Sequence, residues 1–216
     1  MKKVMICLLI ITVIHFSGYA QSAANALQGA VEKLDKAKTV NDYESLAKQF
    51  SGIAVAQKTS WLPWYYAAFC DAKIGFFYQN DGERIEPYSN DGEASAKKAL
   101  ALLDTAKQKQ ETSEVYLVMS MVYRTMVFIN PVTYGYKYGT LSDRYLKLSK
   151  RLTPDNPRTL YFEAWVKYNT PKAWGGDKTM AKTLAEQSLA KLAGAAAGVG
   201  PHWGKTEDQE LLSQYK

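Results

Sequence analysis

Between Ser142 and Trp165 the chain reads SDRYLKLSKRLTPDNPRTLYFEAW: an amphipathic helix, a break at Pro154-Asp155-Asn156-Pro157, then a second helix opening on aromatic residues. This helix–turn–helix junction recurs, with drift, three or four times along the sequence. Recurrence constrains the fold more than any single motif. A unit that cannot bury its own apolar face must stack on the next one, and stacked helical hairpins make binding surfaces rather than catalytic machines.

Helical periodicity runs through most of the chain. Tyr43, Leu46, Ala47, Phe50, Ile53 and Ala54 share one helical face, as do Ala96, Ala99, Leu100 and Leu103. Leu141, Tyr145, Leu148 and Leu152 form a third stripe; Ala181, Leu184, Ala185, Ser188 and Leu192 form a fourth. Between them, segments 61–78, 115–129 and 160–168 are apolar on most faces, as suits helices sandwiched between neighbours. No segment reads as a strand. The alternation predicts an all-α fold of about four hairpins: 22–38 with 41–57, 61–79 with 91–107, 113–129 with 139–152, and 157–170 with 178–193. A short helix over 206–215 closes the end.

Caps and breakers mark the boundaries. Asn90-Asp91-Gly92-Glu93 predicts a capping box at a helix start. Pro157 fits a first helical turn, and Pro171 with Gly175-Gly176 ends that helix. The stretch AGAAAGVG, residues 193–200, is glycine-rich enough to fray into a linker. The segment 130–139 reads as a long turn in which Tyr134, Tyr136 and Tyr138 alternate with Gly135, Lys137 and Gly139, an amphipathic surface on a flexible backbone.

Lys2 and Lys3 precede an apolar run, Val4–Phe16, too short to span a bilayer comfortably. Gly18 and Ala20 are the small residues expected at −3 and −1 of a cleavage after Ala20. Residues 1–20 therefore read as a secretory signal peptide, 21–198 as a helical repeat domain and 199–216 as a C-terminal capping segment. The mature protein is expected to be periplasmic or secreted. Only Cys70 and His202 survive the cut, so no disulfide can form within the mature chain. Cys70, in an apolar helix, reads as a small buried hydrophobe. The formal charge is +6, with Lys2 and Lys3 contributing two units, and it is spread without a block of one sign. That pattern lacks the basic stripe of a nucleic-acid binder. No other apolar stretch is long enough to cross a membrane.

In the first helices of three hairpins, Ala68, Ser120 and Ala164 can fill the small-residue position where the second helix packs closely. With Ser142, Leu146, Ser149, Leu152 and Pro154 in the second-helix pattern, the chain resembles tetratricopeptide (TPR) repeats. The unit spacing exceeds the standard of about 34 residues because the turns are long. SWLPWYYAAFC (60–70), NPVTYGYKYG (130–139), NPRTLYFEAWVKYNTPKAWGGDK (156–178) and GPHWGKTEDQELL (200–212) are similar to segments of small exported TPR-like proteins of Gram-negative bacteria. That resemblance implies a TPR-like α-solenoid in the periplasm or at the cell surface, and implies no reaction. Related subunits of periplasmic solute-uptake systems suggest a ligand- or partner-holding role, by fold analogy.

Residues for chemistry are scarce. One histidine and one cysteine make a poor basis for a nucleophilic triad or a zinc site. Gly175-Gly176 lacks the flanking residues of a phosphate loop. Asn-Asp-Gly-Glu, at 80–83 and again at 90–93, is oxygen-rich but lacks EF-hand spacing. Asp71, Glu114 and Glu163 are the carboxylates that facing helices could pair. The expectation is a protein that is not an enzyme and uses no metal or cofactor. By helical spacing from the small residues, a concave groove would be lined by Tyr65, Phe69, Met121, Arg124, Arg158, Tyr161, Trp165 and Tyr168, with Tyr134, Tyr136 and Tyr138 at its rim. Aromatics with arginine are the usual anchors of recognition surfaces. The leading expectation is an exported repeat protein holding a protein or peptide partner there. The alternative is a periplasmic small-molecule binder linked to solute uptake, with a closed aromatic pocket. Whether the segment after Gly198, with Trp203 as a plug, closes the groove discriminates between them.

Overall fold

The computed structural model describes residues 24–194 and 198–215. The expected signal peptide, and the middle of the expected 193–200 linker, lie outside them. The described residues are all-helical, without a strand. In chain order the helices are α1 (24–34), α2 (Val40–Ala56), α3 (Trp61–Phe77), α4 (Glu86–Ala101), α5 (Lys109–Ile129), α6 (Pro131–Leu152), α7 (Pro157–Asn169), α8 (Lys178–Leu192) and α9 (Lys205–Leu212). Short 3-10 turns, Gly82–Arg84 and Lys172–Trp174, fill two connections. None of these helices is long and apolar enough to cross a membrane.

Consecutive helices pack as hairpins, most extensively α5 with α6, then α3 with α4 and α7 with α8; α3 also packs on α2 and α5. The small residues mark the seams, since Ala68, Ser120 and Ala164 are fully buried. Ser120 Oγ donates to the Ser142 carbonyl at 2.7 Å, and Ser113 Oγ to the Ser149 carbonyl at 3.0 Å, so hydroxyls stitch α5 to α6. Where α3 meets α5, a Cβ added to Gly75 would lie 2.7 Å from Thr125 Cβ and Cγ2. Thr125 cannot yield easily, because its Oγ1 is held by the Val122 carbonyl at 2.7 Å and by Ser89 Oγ at 2.8 Å. Gly75→Ala should therefore destabilise the protein by about 1–3 kcal/mol, the range for overpacking. A urea midpoint equal to wild type would show that α3 and α5 stand further apart than this.

Two helix starts differ most from the sequence expectation, and α4 also ends at Ala101 rather than 107. Helix α4 begins at Glu86, with Pro87 in its first turn, so Asn90–Glu93 is helix interior rather than a cap. Glu93 instead accepts from Tyr123 Oη at 2.8 Å and pairs with Lys97 at 2.7 Å. The segment 130–139 is not a loop. Asn130 caps α6 by accepting from Thr133 N at 3.0 Å, and Pro131 starts the helix. Gly135 and Gly139 weaken a helix by about 1 kcal/mol each relative to alanine. Tertiary packing outweighs that: Tyr138 stacks on Tyr123 at 6.3 Å, and Tyr134 meets Tyr138 edge-on at 5.4 Å.

Candidate functional site

Residues 199–204 cross α3, and α9 follows; together they form a strap over α3 and α7. Its attachments are specific. Tyr66 Oη donates to the Val199 carbonyl at 2.8 Å, and Trp203 Nε1 donates to Tyr65 Oη at 2.8 Å. The Trp203 ring lies on Phe69 at 4.7 Å and edge-on to Tyr161 at 6.1 Å. His202 Nε2 faces Asp35 Oδ1 at 2.8 Å, reaching back to the chain just after α1. Gly204 has φ +120°, a conformation that side chains rarely adopt, and turns the strap into α9.

Beneath the strap lies a buried polar knot. Glu114, on α5, receives Arg158 Nε at 3.0 Å and Nη2 at 2.5 Å, Asn156 Nδ2 at 2.7 Å, and Tyr65 Oη at 3.3 Å. Glu114 is 2% exposed and Arg158 7%. Asn156 both caps α7 and feeds this carboxylate, so the Asn156-Pro157 break and the ion pair are one construction. Arg158 is therefore held by Glu114 and largely withdrawn from the surface. Its charge is spent inside the protein.

Beside the knot, α3, α5, α7 and α9 line an open-sided cleft of about 240 Å³. Phe76, Phe77, Tyr161, Phe162, Trp165 and Trp203 supply its aromatic walls, with Met121 on one side. Phe76 meets Trp165 edge-on at 5.0 Å, and Phe162 lies parallel to Trp165 at 5.9 Å. The polar lining is Lys73, Gln79, Glu207 and Glu210. Lys73 Nζ pairs with Glu207 Oε1 at 3.2 Å, α3 to α9, at the edge of the aromatic surface. Burial opposes the Lys73 charge, and the Glu207 carboxylate outweighs that, holding the pKa above the usual lysine value. A wider depression of about 460 Å³ runs along α6 beside Thr140, Asp143, Arg144, Lys147, Leu148 and Arg151. Those residues come from a single helix, so the aromatic lining drawn from several elements makes the 240 Å³ cleft the better candidate.

The HusA haemophore from Porphyromonas gingivalis has a similar structure, with a TM-score of 0.75 and 28% identity over 89% of this chain and 92% of that one. No family model matches the chain, and no curated protein matches it.

The expected groove residues divide into three groups. Met121, Tyr161 and Trp165 line the cleft. Tyr65, Phe69 and Arg158 are buried under the strap. Arg124 and Tyr168 lie elsewhere: Arg124 pairs with Asp143 of α6 at 2.8 Å, and Tyr168 packs edge-on to Tyr215 at 5.3 Å. Tyr134 and Tyr138 pack along the α5–α6 seam, and Tyr136 is 90% exposed; none is among the cleft-lining residues. The three carboxylates also stand apart. Glu114 pairs with Arg158 and Glu163 with Lys150, while burial, with Asp91 adding to it, raises the Asp71 carboxyl to about 8. Among the described residues, no group of three or more His, Cys, Asp or Glu could hold a metal ion. Sequence reasoning missed Lys73, Phe76 and Phe77, although they continue the helical face of Phe69 at i+4, i+7 and i+8.

Proposed function

We propose that this is an exported binding protein, not an enzyme, whose aromatic cleft takes a flat, largely apolar ring system of the tetrapyrrole class. The observation that carries the reading is the cluster of contacting aromatic rings around Trp165 that lines the cleft, in a chain similar to a haemophore over nearly its whole length. A TPR-like stack of four hairpins, capped by the strap, supplies the frame. The docking of Trp203 on Phe69 and Tyr65 supports the small-molecule alternative over an open groove.

Ring stacking, rather than a bond to iron, would hold the ligand. Burial raises the Tyr161 phenol well above its usual range, with Glu207, Asp208 and Glu210 adding to it, so it stays a neutral and poor iron ligand. His202 is engaged by Asp35 and the Gly200 carbonyl. Metal-free protoporphyrin IX should therefore bind within about an order of magnitude of haem. Trp165→Ala should weaken both by roughly ten-fold, the worth of one stacked ring. Tryptophan quenching and the ligand's absorbance band report both. Failure of the folded protein to bind either compound at micromolar concentration would sink the proposal.

A protein or peptide partner is the second reading. Its specific observation is the first turns of α6, where Val132 is 96% exposed and Tyr136 90%. Serine at both positions should then abolish crosslinking to a stoichiometric envelope partner; an unchanged crosslink removes this reading.

A further inference from the structure

With the strap docked, the cleft is smaller than the roughly 300 Å³ at which small-molecule pockets begin. Part of the space is taken by the chain itself. Two pieces of the strap fill it. The Trp203 indole lies on Phe69 and Tyr161, and the Glu207 carboxylate sits on Lys73. An aromatic plate and a carboxylate about one helical turn apart in sequence have the chemistry of a flat aromatic acid.

From this we infer that Lys73 is the carboxylate anchor of the cleft. Its ligand is a planar aromatic acid that replaces Trp203 and Glu207, so the strap is an internal competitor for the site. This rests on the function proposed above and adds to it the acid group and the residue that reads it.

Three observations support the assignment. Among the described residues, Lys73 is the one cation in the cleft lining, and its side chain is 21% exposed, so it is reachable but shielded. The carboxylates facing it, Glu207 and Glu210, both belong to α9. Lifting the strap would therefore remove both at once and leave a cation at the edge of an apolar wall, a strong site for an incoming carboxylate. Glu207 also has a second partner: its Oε2 accepts from Gly204 N at 3.1 Å at the start of α9. It can release Lys73 and keep a hydrogen bond.

The test compares protoporphyrin IX with its dimethyl ester, which has the same ring and no carboxylate, in the same dilute detergent. Wild-type protein should prefer the acid by roughly ten- to hundred-fold, the worth of one charge-assisted hydrogen bond. Lys73→Met should bring the acid-to-ester ratio close to one, and Lys73→Arg should restore most of it. The arginine variant separates loss of charge from loss of fold, and circular dichroism melts check both. Glu207→Gln weakens the competitor, so acid binding should tighten by about three- to ten-fold. Equal binding of acid and ester by wild type overturns the anchor and leaves the proposed function standing. An acid preference that survives in Lys73→Met does the same. Binding of neither compound overturns both.

Discussion

Arg158→Met should cost about 3–5 kcal/mol, because it leaves the Glu114 carboxylate buried without its cation. Asn156 Nδ2 and Tyr65 Oη would still reach Glu114, but neither carries charge. Glu114→Gln should be severe for the converse reason, stranding a guanidinium that is 7% exposed. The diagnostic variant is the double replacement Glu114→Leu with Arg158→Met. Removing both charges together should recover much of the loss, since an apolar pair of similar volume avoids desolvating two ions. Urea unfolding of wild type, Arg158→Met, Glu114→Leu and the double variant gives the coupling energy directly. Single variants that lose less than about 1 kcal/mol would place the pair in solvent, contrary to the packing of the strap above it.

The second large effect is a pH dependence located at Asp208. Ser188 Oγ lies 2.8 Å from the Pro157 carbonyl and also contacts Asp208 Oδ2. A hydroxyl has one proton and cannot donate to both. A protonated Asp208 resolves this: the carboxyl donates to Ser188, and Ser188 donates to Pro157. The side chain is fully buried and its Oδ1 has no hydrogen-bond partner. Burial raises the carboxyl to about 7, against the Ser188 hydrogen bond, which pulls it down, and with Glu207 adding to the rise. The folded value lies above the unfolded one. The stability this group contributes is therefore fully present below pH of about 4 and is lost as pH rises towards 7. Asp208→Asn imitates the neutral form. It should match wild type near pH 4 and exceed it by about 2 kcal/mol at pH 8, read from thermal melts across that range. Asp71, also raised, is common to both proteins and cancels in the difference. A variant less stable than wild type at pH 8 would mean that Asp208 is ionised and paired in the fold.

Much of the frame was readable in the sequence because its determinants are local. Asn156-Pro157 fixed the start of α7, and the Ala181–Leu192 stripe fixed α8. Asn130-Pro131 is the same signal, and it starts α6. The glycine–tyrosine alternation after it masked that signal, since the packing of Tyr138 on Tyr123 is tertiary and has no local trace. The cleft lining was readable only in part, for a similar reason. Helical spacing put Met121, Tyr161 and Trp165 on a common surface, and they do line the cleft. The same spacing could not show that Glu114 would claim Arg158, because that partner comes from a helix 44 residues away.

The strap gives the molecule a property that stacked repeats ordinarily lack. In a linear array each unit touches only its neighbours, so the ends fray and folding can spread from any point. Here residues 199–203 bond to Tyr66, Tyr65 and Asp35 across separations of 133, 138 and 167 residues. Residues 199–207 thus cover helices made far earlier in the chain. A chain made from the N-terminus forward carries an exposed aromatic face until residues 199–203 arrive. Once closed, it should open as a unit rather than unravel from an end, at the kinetic cost of assembling contacts so distant in sequence.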